Sequence, residues 1–265
     1  MEIKVLWMYP DILNLHGDRG NIMALCKIAE SLSLGMDIVK VNNYKELPDL
    51  KEIDFMFFGA GQTKDLANVI ADMSHYKNEL ELYVKAGGHV LATGSTECVF
   101  GRGYVLRDGT KVKGLGLINM TAKELNRTKT PFVTREVYGD DILWKTKNGI
   151  EIVGCQIQRF DINLKNKSDC YGDLIYGYGN NLVDGIEGAV YNNLHCTNTV
   201  GPLFSCNPWL AVEYLNEILS KHGKRLKDYN EDKIPFMEYA KNSLELKKKY
   251  TREKMKQKRI NYTGC

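Results

Sequence analysis

The chain has 265 residues, of which 43% are hydrophobic and 26% charged, and its net charge is +3. That composition is ordinary for a globular protein, and the length allows one large domain or one domain plus an extension. The charge is too small to imply a nucleic-acid partner, and no apolar run is long enough to span a bilayer. The first residues, Met1 to Trp7, lack the arrangement of a signal peptide, so a cytoplasmic protein is expected. Its 7 cysteines are scattered, odd in number and never arranged C-x-x-C. That pattern argues against a disulfide framework and against a structural zinc site. No cofactor or metal is expected.

In chain order, Ile3 to Met8 reads as a strand, and Tyr9 to Asn21 is punctuated as a loop by Pro, Asp, Gly and Asn. From Ile22 the apolar residues follow helical spacing. A second strand runs from Asp37 to Val41. A third, Asp54 to Phe58, ends in Gly59-Ala60-Gly61-Gln62. Glycines at the carboxyl end of a strand bring backbone N–H groups close to a ligand and can form an oxyanion hole, or they make a plain tight turn. One helix is expected from about Lys64 to Ala86, leading into the strand His89 to Thr93. This alternation predicts a mostly parallel central sheet with helices on both faces.

The stretch Gly87 to Gly101 organises the chain. A buried strand turns abruptly at Gly94 into a helix that Ser95 and Thr96 can cap, with Glu97 in its first turn. A sharp strand-to-helix turn is where a nucleophile is usually displayed. Here the apex residue has no side chain.

Beyond the turn, Pro131 to Tyr138, Ile150 to Ile157 and Leu174 to Tyr178 read as strands that complete and flank the sheet. Tyr191 to Leu203 is one or two strands. Pro208 opens a helix that Gly223 ends. The expected division is a domain over 1–222 and a charged helical extension over 223–265, docked on the domain or on a partner.

Three blocks resemble the class I glutamine amidotransferases of the cobyric acid synthase type, in particular the GatD-like glutaminase subunits of lipid II isoglutaminyl synthase. They are Leu15-His16-Gly17-Asp18-Arg19-Gly20-Asn21-Ile22, the loop Gly59 to Gln62, and a series containing Asp108-Gly109-Thr110, Asn126-Arg127 and Tyr176 to Asn181. The resemblance covers about residues 1–219 and implies a flavodoxin-like amidotransferase fold. It further implies a heterodimer with a Mur ligase-type (MurT-like) ATP-dependent subunit and a link to cell-wall precursor amidation. Relatives hydrolyse glutamine with a Cys–His pair. Here the Cys slot is Gly94, in Thr93-Gly94-Ser95-Thr96, and the His slot is Val200, in Val200-Gly201-Pro202-Leu203. Without thiol and imidazole there is neither a covalent intermediate nor a general base, a loss of roughly six orders of magnitude in turnover.

Three residues are candidate substitutes. Cys98 lies one turn beyond Gly94, about 6 Å along the axis, beside the slot. His195 precedes Val200 on what reads as one strand and should point to the opposite face, whereas Cys196 and Asn198 share the face of Val200. The resemblance assigns Arg127 to a substrate carboxylate, gives Gly59, Ala60, Gly61, Gln62 and Ser95 to the oxyanion loop, and places Gln158 where relatives often have His. His16 is read as a structural or interface residue. The leading reading is a catalytically silent amidotransferase-like subunit. The alternatives are an active enzyme using Cys98 or Cys196, and a sensor that binds glutamine or another small amino acid.

Overall fold

The computed structural model describes residues 1–125, 138–226 and 230–258. The first half runs β1 (Glu2–Met8), α1 (Arg19–Ser31), β2 (Gly35–Val41), β3 (Phe55–Phe58), α2 (Thr63–Met73), α3 (Lys77–Lys85), β4 (His89–Thr93) and α4 (Glu97–Phe100). Then come β5 (Gly103–Val105), β6 (Lys111–Lys113), β7 (Met120–Glu124), β8 (Tyr138–Thr146), β9 (Glu151–Gln158) and β10 (Phe160–Leu164). The chain continues through β11 (Gly172–Tyr176), β12 (Ile186–Glu187), β13 (Ala189–Tyr191), β14 (Leu194–Thr197) and β15 (Thr199–Val200). It closes with α5 (Leu203–Cys206), α6 (Pro208–Lys221) and α7 (Met237–Lys258).

The main sheet has the order β13-β14-β4-β3-β1-β2 and is parallel except for β13. Residue alternation sorts its two faces. Ile3, Val5, Trp7, Phe55, Phe57 and Leu91 pack against α1, α5 and α6. Leu6, Met8, Met56, Phe58, Val90 and Ala92 pack against α2, α3 and α4. β3 lies between two neighbours under both layers, so all four of its residues are apolar and buried.

Three expectations are corrected. The helix expected over 64–86 is two helices. Ser74 Oγ closes the first by donating to Ile70 O at 2.7 Å, and Tyr76 turns inward to place its hydroxyl 3.0 Å from that of Tyr9. The later strands do not complete the main sheet. They form two further sheets, β10-β7-β5-β6 and the wholly antiparallel β12-β11-β8-β9-β15. The stretch containing His195 and Val200 is also broken. β14 pairs with β4, whereas β15 crosses to β9. Asn126, Arg127 and residues 131–137 of the expected strand lie outside the described residues.

α7 lies along β8 and β9. Its inward positions Met237, Ala240, Leu244, Thr251 and Met255 recur every three to seven residues, as an amphipathic helix requires. Leu244 and Met255 pack on Leu143, Val153 and Tyr176. Lys247, Lys248 and Lys254 pair with Asp141, Glu151 and Asp140 at 2.6, 2.7 and 2.9 Å.

Candidate functional site

Two strand ends meet at the site. β3 runs into Gly59-Ala60-Gly61-Gln62 and then α2. β4 turns at Gly94 into α4. Gly94 has φ +60°, which a side chain tolerates poorly. A Cβ built there would stand 2.8 Å from Ala60 Cβ and 3.0 Å from Val200 Cγ1. The fold therefore brings Gly94, Ala60 and Val200 face to face, although β14 and β15 belong to different sheets.

The hydroxyls after the turn do not cap α4, contrary to expectation. Ser95 Oγ donates to Gly61 O at 2.5 Å and accepts the Gly61 N–H at 3.2 Å. Thr96 Oγ1 donates to Gly59 O at 2.6 Å. Both are drawn to the glycine loop because its backbone groups are buried beside them and need partners. The Gly61 amide, which faces the elbow, is thereby engaged by Ser95.

The loop between β1 and α1 braces the same place. The Leu15 N–H donates to Ala60 O at 3.0 Å. Thr93 Oγ1 donates to Asp18 Oδ1 at 2.9 Å, and the His16 N–H donates to Asp18 Oδ2 at 3.2 Å. Asp18 is wholly buried, and burial raises its acid above the usual carboxylate range against the pull of these bonds. Burial also lowers the His16 imidazole, with Asp18 opposing.

A cavity of about 450 Å³ opens over the elbow, lined by Gly61, Gln62, Gly94, Ser95, Cys98, Gln158 and Asn198 among others. His16, Lys64 and Arg159 also line it, and among the described residues no carboxylate does. Its floor is a hydrogen-bonded amide network. Gln158 Nε2 donates to Phe160 O and Asn180 O at 2.5 and 3.0 Å, and also touching it is Gln156. Asn198 Nδ2 donates to Asn180 Oδ1 at 3.2 Å, and the Asn198 N–H donates to Glu187 Oε1 at 2.7 Å. Thr197 donates to the same oxygen at 2.8 Å.

Behind the elbow lies a pair the sequence did not reveal. Glu97 and Glu187 are both wholly buried. Neither Glu97 oxygen has a hydrogen-bond partner, nor does Glu187 Oε2. Burial, with the repulsion of Glu187, raises Glu97 well above the carboxylate range, and burial brings Glu187 up to about 7. Glu97 stands in the first turn of α4, as expected, but wholly inside the protein. The four residues of α4 are all buried, so this helix has no solvent side.

The candidate substitutes separate. Cys98 lines the cavity, but burial and the adjacent Glu97 hold its thiol well above the ordinary value, the reverse of an activated nucleophile. Of the residues expected on the face of Val200, Asn198 lines the cavity and Cys196 does not, because β14 ends at Thr197 and the chain crosses to another sheet. Cys196 is buried in the core with Cys98 and is raised in the same way. His195 points to the α6 side, its Nδ1 2.6 Å from the Tyr214 hydroxyl and its ring stacked on Tyr171. Among the described residues no group of three or more His, Cys, Asp and Glu side chains could hold a metal ion, and no helix is long and apolar enough to cross a membrane.

No family model matches the chain. It is similar to the GatD subunit of lipid II isoglutaminyl synthase (glutamine-hydrolyzing) from Streptococcus pneumoniae, with 28% identity over 220 residues, 83% of this chain and 82% of that one. The corresponding subunit from Staphylococcus aureus is 27% identical over 216 residues, covering 82% and 84%. Among solved structures, a crystal structure of a glutamine amidotransferase superposes with a TM-score of 0.51 at 12% identity, over 80% of this chain and 98% of that one. The glutaminase domain of Trypanosoma brucei CTPS with bound acivicin gives 0.51 at 12%, over 86% and 96%.

Proposed function

We propose that this chain, which resembles GatD subunits and carries the class I glutamine amidotransferase fold, is a catalytically silent subunit that partners a Mur ligase-type, ATP-dependent amide-forming enzyme. One observation carries the reading. The elbow apex is Gly94, and the space its side chain would need is taken by the Ala60 methyl and the Val200 isopropyl group. A thioester needs a sulfur there, and a base needs a proton-accepting nitrogen beside it. The bond from Gly61 N–H to Ser95 also removes a donor that an oxyanion would require. On this reading Gly59 to Gln62 and Ser95 form the remnant of an oxyanion loop. On the same reading, residues 1–222 are the amidotransferase-like domain and 223–265 an extension, of which the helix Met237–Lys258 packs on it. The ligase partner, with this subunit positioning or regulating it in the cytoplasm, then draws on free ammonia or another amine.

The test is glutamate release from glutamine by the purified chain, alone and with its ligase. No turnover above background is expected. Turnover that survives Cys98→Ser together with Cys196→Ser would overturn the reading. A second reading, in which the emptied cavity binds an amino acid, is favoured by Lys64 and by Arg159, which also pairs with Glu124, in a lining that has no carboxylate among the described residues, which suits the carboxylate of such a ligand.

A further inference from the structure

At the other end of β4 from the elbow, a second cavity of about 670 Å³ opens between α6, β14, the start of β4 and the turn after β8. Parallel sheets gather their ligands at the carboxyl ends of their strands, so this hollow lies away from the fold's usual site. One wall is a hydrogen-bonded aromatic cluster. The Tyr214 hydroxyl lies 2.6 Å from His195 Nδ1 and 3.0 Å from the Tyr171 hydroxyl, and the His195 ring stacks on Tyr171 at 4.6 Å. Burial holds His195 down to about 3 and His89 down to about 4, so neither ring brings positive charge at neutral pH.

The lining also includes two acids of α6, the helix that carries Tyr214. Glu213 and Glu217 stand one turn apart on α6. Among the described residues neither carboxylate forms an ion pair with a Lys or Arg. Burial and the like charge of Glu213 push Glu217 up to about 6. The two rim lysines are engaged elsewhere, Lys147 with Asp173 at 2.8 Å and Lys221 over the Tyr83 ring at 5.7 Å. Beneath Glu217 lies His89, only 4% exposed, whose Nδ1 stands 3.5 Å from that carboxylate and makes no hydrogen bond. A buried, uncharged and unpartnered ring nitrogen costs the fold free energy.

We propose that this cavity binds a small organic ammonium ion, with its charged head against Glu213 and Glu217 and its carbon chain against the Tyr171, Tyr214 and His195 rings. The cation balances two like charges that no lysine or arginine among the described residues pairs with, and the rings cover its apolar chain. It also holds Glu217 ionised, as an acceptor for a proton on His89 Nδ1. The proposal is independent of the elbow and its chemistry.

Calorimetric titration of the full chain with 1,4-diaminobutane tests it, with 1,4-butanediol as the neutral match at equal ionic strength. A saturable heat is expected from the diamine and none from the diol. Glu217→Gln and Glu213→Gln should each weaken binding about tenfold, the effect of removing one charge-assisted contact. Glu79→Gln, on the exposed side of α3, should leave it unchanged. Absence of a saturable diamine heat, equal binding of the diol, or binding that survives both α6 substitutions would each overturn the proposal.

Discussion

Glu187→Gln isolates the buried acid pair. Glu187 Oε1 accepts from Thr197 and from the Asn198 N–H, and a glutamine carbonyl can accept both bonds. The substitution therefore removes the ionisation and keeps both bonds, while placing an NH2 where Oε2 has no partner, a cost that does not vary with pH. Burial raises Glu187 from 4.5 to about 7 in the folded chain. A raised folded value means the neutral acid is favoured in the native state. Its contribution is fully present below the unfolded value near 4.5 and is lost as pH climbs through about 7. The difference corresponds to ~3 kcal/mol. Glu97, raised first by its own burial, adds a loss of the same sign, and that burial part remains in the variant. Urea unfolding of both proteins at pH about 5 and about 8 reads the effect. Between acid and alkali the gap should move by ~3 kcal/mol in favour of the variant. A gap of the same size at both values would show that Glu187 does not titrate in this interval and would refute the argument.

Gly94→Cys alone should yield no glutaminase activity and should cost about 1–3 kcal/mol, because the new Cβ meets Ala60 at 2.8 Å on a left-handed backbone. Combined with Ala60→Gly and Val200→His, measurable glutamate release is expected; an equally active Gly94→Cys/Val200→His pair would show that the Ala60 methyl is no obstacle. If the cavity binds an amino acid, calorimetry with glutamine gives a saturable heat that Lys64→Gln weakens, and silence with glutamine removes the second reading.

Much of the main sheet was legible because its strands are short apolar runs separated by glycine-marked turns, and parallel pairing buries both faces. The turn at Gly94 was equally plain. The second half was harder. β8 carries Asp140 and Asp141 beside Leu143 and Trp144, and its acidic residues find their lysines on α7, more than a hundred positions away. Asn207 reads as the residue before a helix, yet its amide clasps Val153, with Oδ1 accepting the N–H and Nδ2 donating to the carbonyl, both at 2.8 Å. At the site, Gly94 and Val200 could be matched by pattern alone, and the fold places them in contact. The roles of Ser95, Thr96 and Ala60 depended on how closely two turns approach, which spacing does not encode. Glu97 and Glu187 gave no signal, since a lone glutamate is ordinarily a surface residue.

The clasp between Leu15 and Ala60 has a mechanical consequence. Leu15 is 47% exposed and Ile12 41%, yet the Leu15 amide is tied to the peptide that borders Gly94. Outer skin and inner hinge are thus one bond apart. The route from Leu15 to the elbow therefore runs through one peptide hydrogen bond and the Ala60 methyl, and does not cross the core.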